Sequence, residues 1–124
     1  MERRTRQRDA IATALRGAAR PLTAAEVLAA AQGVVPNLGL ATVYRALKAM
    51  LADGSAQLVE IPGSAPRYET AHLGHHHHFQ CRGCHEVFEV PGCPRDIAHL
   101  APPGFQLDGH EVVLYGRCAR CVTS

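Results

Sequence analysis

The sequence predicts an α+β chain: an N-terminal winged helix-turn-helix domain followed by a small C-terminal α/β domain. Three observations carry this expectation. Residues 1–54 hold three helical stretches separated by Gly and Pro, and residues 57–70 read as strand, turn and strand. All eight histidines and all five cysteines lie after residue 70, whereas residues 1–50 hold eight of the 13 Lys and Arg against only Glu2, Asp9 and Glu26. A basic part without soft ligands, followed by a ligand-rich part with little positive charge, implies polyanion binding first and metal binding second.

At 124 residues the chain is one domain or two small ones, and two thin cores would each want a staple such as a metal or a partner subunit. No apolar run approaches the ~18 residues of a membrane span. Met1-Glu-Arg-Arg4 lacks the apolar stretch of a signal peptide, so the expected location is cytoplasmic, with no membrane partner. In a reducing compartment, cysteine spacing points to metal before disulfide.

The first helix is expected over about residues 6–16, with Ile11 and Leu15 on its apolar face and Gly17 and Arg20-Pro21 ending it. Thr23-Ala-Ala-Glu26 is a capping box that starts a second helix running to about Ala31. After Gly33 and Pro36, a third helix spans about residues 40–52 and closes at Asp53-Gly54. Strands follow at residues 57–61 and 67–70, joined by Pro62-Gly-Ser-Ala-Pro66. The domains are set at 1–70 and 75–124, with a hinge at 71–74. The second domain is expected to hold strands near 75–80, 86–90 and 112–115 and a short helix near 94–100.

The third helix points Leu40, Val43, Leu47 and Met50 or Leu51 at a core by their i, i+3, i+4, i+7 spacing. Its other side shows Ala41, Thr42, Tyr44, Arg45 and Lys48. Such a face suits a DNA major groove, because Arg pairs bidentately with guanine and small apolar groups meet thymine methyls. Tyr, Thr and Lys suit phosphates. Arg3, Arg4, Arg6 and Arg8 add a basic arm for phosphate or a minor groove. Taken alone, this pattern also describes a solvated helix face.

Cys81-Arg-Gly-Cys84 and Cys118-Ala-Arg-Cys121 are two C-x2-C knuckles, and four thiolates at this spacing suit tetrahedral zinc. Thiol exchange is the competing use, but the βαβ pattern that accompanies it is missing. His75-His-His-His78 runs straight into the first knuckle. On a strand, His76 and His78 point one way and His75 and His77 the other, so one segment can feed two metal sites. Glu69 and Glu89 are candidate partners of His76 and His78, and His110 of His75 and His77, with Asp96 or Cys93 as a fourth ligand. The plain alternatives are solvent-facing carboxylates and a small apolar Cys93. His72, His85 and His99 read as ordinary histidines. Zinc-enzyme signatures are missing: no H-E-x-x-H occurs, and no H-x-E precedes the first knuckle.

These residues together resemble the ferric uptake regulator (Fur) family along nearly the whole chain. The marks are Thr5-Arg-Gln-Arg8, Leu40-Ala-Thr-Val-Tyr-Arg-Ala-Leu47, Arg67-Tyr-Glu69, His75-His-His-His-Phe-Gln-Cys-Arg-Gly-Cys84, Gly104-Phe105, His110 and Leu114-Tyr-Gly-Arg-Cys-Ala-Arg-Cys121. The resemblance implies a winged-helix DNA-binding domain hinged to a dimerisation domain, and a homodimer that represses metal-uptake or stress genes when metal is bound. Its DNA partner would be a double-stranded operator with an inverted repeat, and no small-molecule substrate is implied. By position, Cys81, Cys84, Cys118 and Cys121 match structural zinc ligands, and Glu69, His76, His78 and Glu89 match a hinge-side sensing site. His75, His77, Asp96 and His110 match an additional site, and Tyr44 and Arg45 match DNA contacts.

Two departures qualify the match. Many iron and peroxide sensors of the family take a ligand from a histidine before the second helix, yet residues 1–70 contain no His. The hinge-side site must then close with Glu60, with water or from the second domain alone. Zinc sensors usually do without that histidine, which favours Zn2+ over Fe2+ or Mn2+ as the regulatory metal. The segment between Glu89 and Gly104 is also short, so either Asp96 or Cys93 takes the acidic ligand position. The competing readings are a peroxide- or iron/manganese-sensing member and a metal storage or delivery module that does not bind DNA.

Overall fold

The structure, a computed structural model, describes residues 2–71, 76–92 and 97–123, with only the backbone at Glu2. The chain divides into two compact units, Met1–Leu73 and Gly74–Ser124, and it is α+β as the sequence predicts.

The first unit packs three helices on a three-stranded sheet. Helix α1 covers Glu2–Ala18, longer than expected at both ends. Arg, Gln and Glu are good helix formers, so nothing in Glu2-Arg-Arg-Thr-Arg6 opposes extension. The basic arm is thus the first turns of a helix. Gly17 does not end it; the chain turns at Ala19, at φ 54°, ahead of buried Pro21. Strand β1 (Leu22–Thr23) then leads into α2 (Ala24–Ala31). The capping box forms: the Glu26 N–H donates to Thr23 Oγ1 at 3.2 Å, and the Thr23 N–H donates to Glu26 Oε1 at 2.9 Å. The Glu26 carboxylate also meets Arg20 at 3.4 Å and Arg67 at 3.2 Å. Arg67 lies buried on the sheet, so one carboxylate joins the start of α2 to the wing.

Helix α3 (Leu40–Asp53) ends at Gly54, which takes the left-handed conformation a C-terminal cap requires (φ 84°). Val43, Leu47 and Met50 are buried against Ile11 and Leu15 of α1 and Val27 of α2. Each such side chain contributes roughly 1.5–3 kcal/mol. Leu40 departs from the expected core stripe and stays 42% exposed at the first position of α3. Strands β2 (Ala56–Val59) and β3 (Arg67–Thr70) pair antiparallel, and the sheet order is β1-β3-β2. The hairpin between them, residues 60–66, is the wing, and its one charged residue is Glu60.

The second unit is a sheet ordered β5-β4-β6, from β4 (His76–Cys81), β5 (Val87–Pro91) and β6 (Val113–Gly116). β4 is central, antiparallel to β5 and parallel to β6. A parallel partner needs a crossover, and the chain from β5 to β6 supplies it, including a 3-10 turn at Ile97–Leu100 where a helix was expected. Helix α4 (Ala119–Val122), not foreseen from the sequence, carries the second cysteine pair. Among the described residues of this unit only His77, Cys81 and Val87 are buried, while Leu100, Phe105 and Val122 are 78%, 70% and 63% exposed. So little enclosed apolar surface matches the thin core that the chain length implies.

Candidate metal centres and nucleic-acid interface

The cysteine cluster is built by two turns that present sulfur to each other. The first knuckle is the turn out of β4, where the His85 N–H returns to the Cys81 carbonyl at 2.9 Å and His85 takes φ 66°. The second is the start of α4, with Cys118 at its N-cap position. One ligand atom from each of the four cysteines lies within 4.8 Å of the others, and the Cys84 and Cys118 sulfurs are 3.8 Å apart. A tetrahedral Zn–S distance of ~2.3 Å implies sulfur–sulfur edges of about 3.8 Å, so the spacing fits a four-thiolate zinc.

The electrostatics also fit. Cys81 Sγ accepts backbone N–H groups from Gly83 at 3.3 Å, Cys84 at 3.4 Å and Cys118 at 3.3 Å. Those of Cys84 and Cys118, then Gly83, hold the Cys81 thiol down at about 5. The Cys121 backbone N–H lowers Cys118 in the same way. Cys121, beside the sulfurs of Cys81 and then Cys118, is pushed up to about 12. A divalent ion would take the four sulfurs as thiolates and displace the protons they hold.

The histidine run divides as the strand period requires. The His76 and His78 rings are 5.0 Å apart, and His78 pairs with Glu89 in the register of β4 and β5, so these three share an end of the sheet. His77 is buried on the opposite face, with its ring centroid 5.0 Å from that of His110, and its Nδ1 accepts the Val112 N–H at 3.2 Å. His75, Cys93 and Asp96 lie outside the described residues. In the first unit Glu69 is buried on β3, with Oε1 accepting from Gln57 Nε2 at 2.7 Å. Glu60 is exposed beyond the other end of β2, away from Glu69.

On α3, Ala41, Tyr44, Arg45 and Lys48 are exposed and Thr42 is half-buried. Arg45 donates to Thr42 Oγ1 at 3.1 Å. A cleft between α1 and α3 is lined by Arg3, Arg4, Gln7, Arg8, Thr42 and Arg45. Arg8 is braced to Asp53 at the end of α3 by a 2.7 Å ion pair. Sequence reasoning missed this brace, the Glu26–Arg67 link and the tight fit at Gly83, where a Cβ would meet Cys121 Sγ at 2.9 Å. A glycine between paired cysteines is a signal for the last, because glycine marks close backbone approach.

A three-helix unit with a wing, followed by a small sheet carrying a four-cysteine cluster and two histidine faces, defines the class of winged-helix proteins with metal-binding sites. The ferric uptake regulator family model matches residues 2–115, and the chain belongs to this family of transcriptional regulators, which are not enzymes. The ferric uptake regulation protein of Campylobacter jejuni is 36% identical over 88 residues, 68% of this chain and 56% of that protein. The chain thus matches little more than half the length of that relative. Its fold is similar to that of the Helicobacter pylori ferric uptake regulator, with TM-score 0.77 and 23% identity over 95% of this chain and 81% of that one. It is also similar to FurB of M. tuberculosis, a zinc uptake regulator, with TM-score 0.55 and 31% identity over 96% of this chain and 95% of that one. No helix among the described residues is long and apolar enough to cross a membrane.

Proposed function

We propose that this chain is a metal-dependent transcriptional repressor that binds a double-stranded operator as a homodimer in the cytoplasm. The observation that carries the reading is a division of labour. An exposed helix face bearing Tyr44, Arg45 and Lys48 lies in the first unit, and histidine faces around His78 and His77 lie in the second. Arg45 is the proposed base reader. The Arg3, Arg4 and Arg8 cleft, with Lys48, is proposed to hold phosphate.

Cys81, Cys84, Cys118 and Cys121 are proposed to hold a structural Zn2+, supported by the clustering of their sulfurs within 4.8 Å of one another. His76, His78 and Glu89, with Glu69 from the end of β3, are proposed as the sensing site. His77 and His110, with His75 and either Asp96 or Cys93, are proposed as the additional site. Exposed Leu100, Phe105 and Val122 beside so thin a core support a partner subunit. A two-fold dimer would read an inverted repeat.

Zn2+ is favoured as the sensed metal over Fe2+ or Mn2+. Residues 1–70 offer no histidine to complete an iron-type site, and a zinc uptake regulator is among the similar structures. Operator binding titrated with zinc, manganese and ferrous iron at buffered free concentrations tests this. The expected result is tight binding at the lowest free zinc. DNA binding indifferent to all three ions would sink the repressor reading in favour of a storage or delivery module.

A further inference from the structure

Arg120 lies inside the second cysteine pair, yet its guanidinium reaches the first. Its Nη2 is 3.8 Å from Cys84 Sγ and 3.1 Å from Glu86 Oε2. Glu86 sits just beyond the first knuckle, and its carbonyl accepts the Cys81 N–H at 2.9 Å. Arg120 therefore crosses the gap between the two turns that carry the ligands and is held there by a carboxylate of the opposite turn.

Arg82, in the equivalent place of the first pair, does something else. Its guanidinium lies 5.1 Å from the ring centroid of Tyr115, on the sheet. The two knuckles share the pattern Cys-x-x-Cys with an arginine inside, but in the described contacts Arg120 is the one aimed at a sulfur of the other pair.

Four thiolates around a divalent ion carry a net charge of about −2, which a site with three half-buried ligands must neutralise. A guanidinium is suited to this, because its fork donates to two acceptors at once and stays charged. An N–H donated to a thiolate draws electron density from sulfur, and so lowers the readiness of that sulfur to leave the metal and accept a proton. Groups that hydrogen-bond ligands from outside the coordination sphere typically alter metal affinity ~10–100-fold. Arg120 is 70% exposed, so solvent screening puts its effect at the lower end, about tenfold.

We propose that Arg120 is a positioning residue for the four-cysteine centre: held by Glu86, it caps Cys84 and locks the two knuckles together against loss of zinc. This rests on the reading of the cluster as a zinc site. The test is the rate at which the zinc-loaded full chain gives up its metal to a chromogenic chelator, measured for the wild type, Arg120→Ala, Arg120→Lys, Glu86→Gln and Arg82→Ala. The expected order is release about tenfold faster for Arg120→Ala, intermediate for Arg120→Lys and Glu86→Gln, and wild-type for Arg82→Ala.

Rescue by lysine separates charge from mere packing, and Glu86→Gln tests the device with Arg120 still present. A wild-type chain that purifies without a tightly held zinc overturns the zinc reading, and the inference with it. A zinc-loaded wild type whose Arg120→Ala and Glu86→Gln variants release metal no faster than Arg82→Ala overturns the inference and leaves the zinc reading standing.

Discussion

His78 on β4 stands directly across from Glu89 on β5. Residues opposite each other in an antiparallel pair send side chains to the same face. His77, one residue earlier, goes to the other face and packs beside His110. Adjacent imidazoles are thereby committed to different neighbours, as the proposed two-site arrangement requires.

This commitment predicts different phenotypes for neighbouring substitutions. His78→Ala is expected to abolish metal-stimulated operator binding while leaving a folded dimer that retains its zinc. His77→Ala removes a buried ring, so it is expected to lower the melting temperature more than the DNA response. Gel shifts with and without metal, paired with thermal melts, make the comparison. Equal effects from both variants would end the two-site reading. Metal and DNA must also strengthen each other's binding by the same factor, typically ~1–3 kcal/mol.

Cys118→Ser is expected to lose zinc and destabilise the second unit by several kcal/mol. Metal binding is worth ~10–16 kcal/mol in small zinc peptides. The cluster joins β4 to α4 across a unit with few buried residues. A metal-to-protein ratio and a urea unfolding curve suffice, and an unchanged midpoint would contradict the clasp.

Gly83→Ala tests the same cluster without touching a ligand. A Cβ there would lie 2.9 Å from Cys121 Sγ and 3.2 Å from Cys121 Cβ. The expected cost is roughly 1–3 kcal/mol, as for other overpacked sites, seen as weaker zinc retention in chelator competition. Retention equal to wild type would mean that the knuckles close differently.

Arg45→Ala is expected to cost roughly 1–3 kcal/mol in operator affinity and to relax preference at one base pair in each half-site. Uniform weakening across all sequences would instead move Arg45 to phosphate. No change would falsify the assignment of α3 as the reading element.

Glu26 carries a pH prediction. Burial raises its carboxyl, but the Thr23 backbone N–H, then Arg20 and Arg67, outweigh burial and leave it below the usual carboxylate value. A depressed folded-state value stabilises the fold above the unfolded-state pKa, and that stability is lost as pH falls through the folded-state value. Glu26→Gln is therefore expected to cost about 1 kcal/mol at neutral pH, allowing for its partial exposure. Its gap from wild type should close in acid, below the ordinary glutamate range. Melting curves of both proteins at several pH values give this difference directly, and a gap independent of pH would show that the charge is irrelevant.

The sequence made the capping box, α3 and the strand alternation legible because each is a local rule. Thr23 and Glu26 are three residues apart, and Gly54 is the expected helix stop. The cysteine pairs were legible because metal chemistry fixes their spacing. What depended on distant packing was not. The Arg67–Glu26 contact spans 41 residues and Arg8–Asp53 spans 45, and no periodicity announces either. Leu40 fits the core stripe by spacing, yet as the first residue of α3 it stays 42% exposed, and spacing alone does not say how far a packed face extends. The length of α1 was underestimated because a run of arginines reads as an arm, although arginine favours helix.

The hydrogen bond from the Val112 N–H to His77 Nδ1 constrains how the buried imidazole can be used. A ring that accepts at Nδ1 keeps its hydrogen on Nε2, and in that tautomer neither nitrogen has a lone pair to spare for an ion. Coordination through Nε2 requires the hydrogen to move to Nδ1, which turns an acceptor towards Val112 into a second donor. Coordination through Nδ1 displaces Val112 outright. Either way, filling this centre detaches Val112 from His77 at the entrance to β6, so occupancy should be readable as faster amide exchange at Val112. An ion at the proposed His77 centre would compete with the strand end for this imidazole, and binding there would begin with a bond given up.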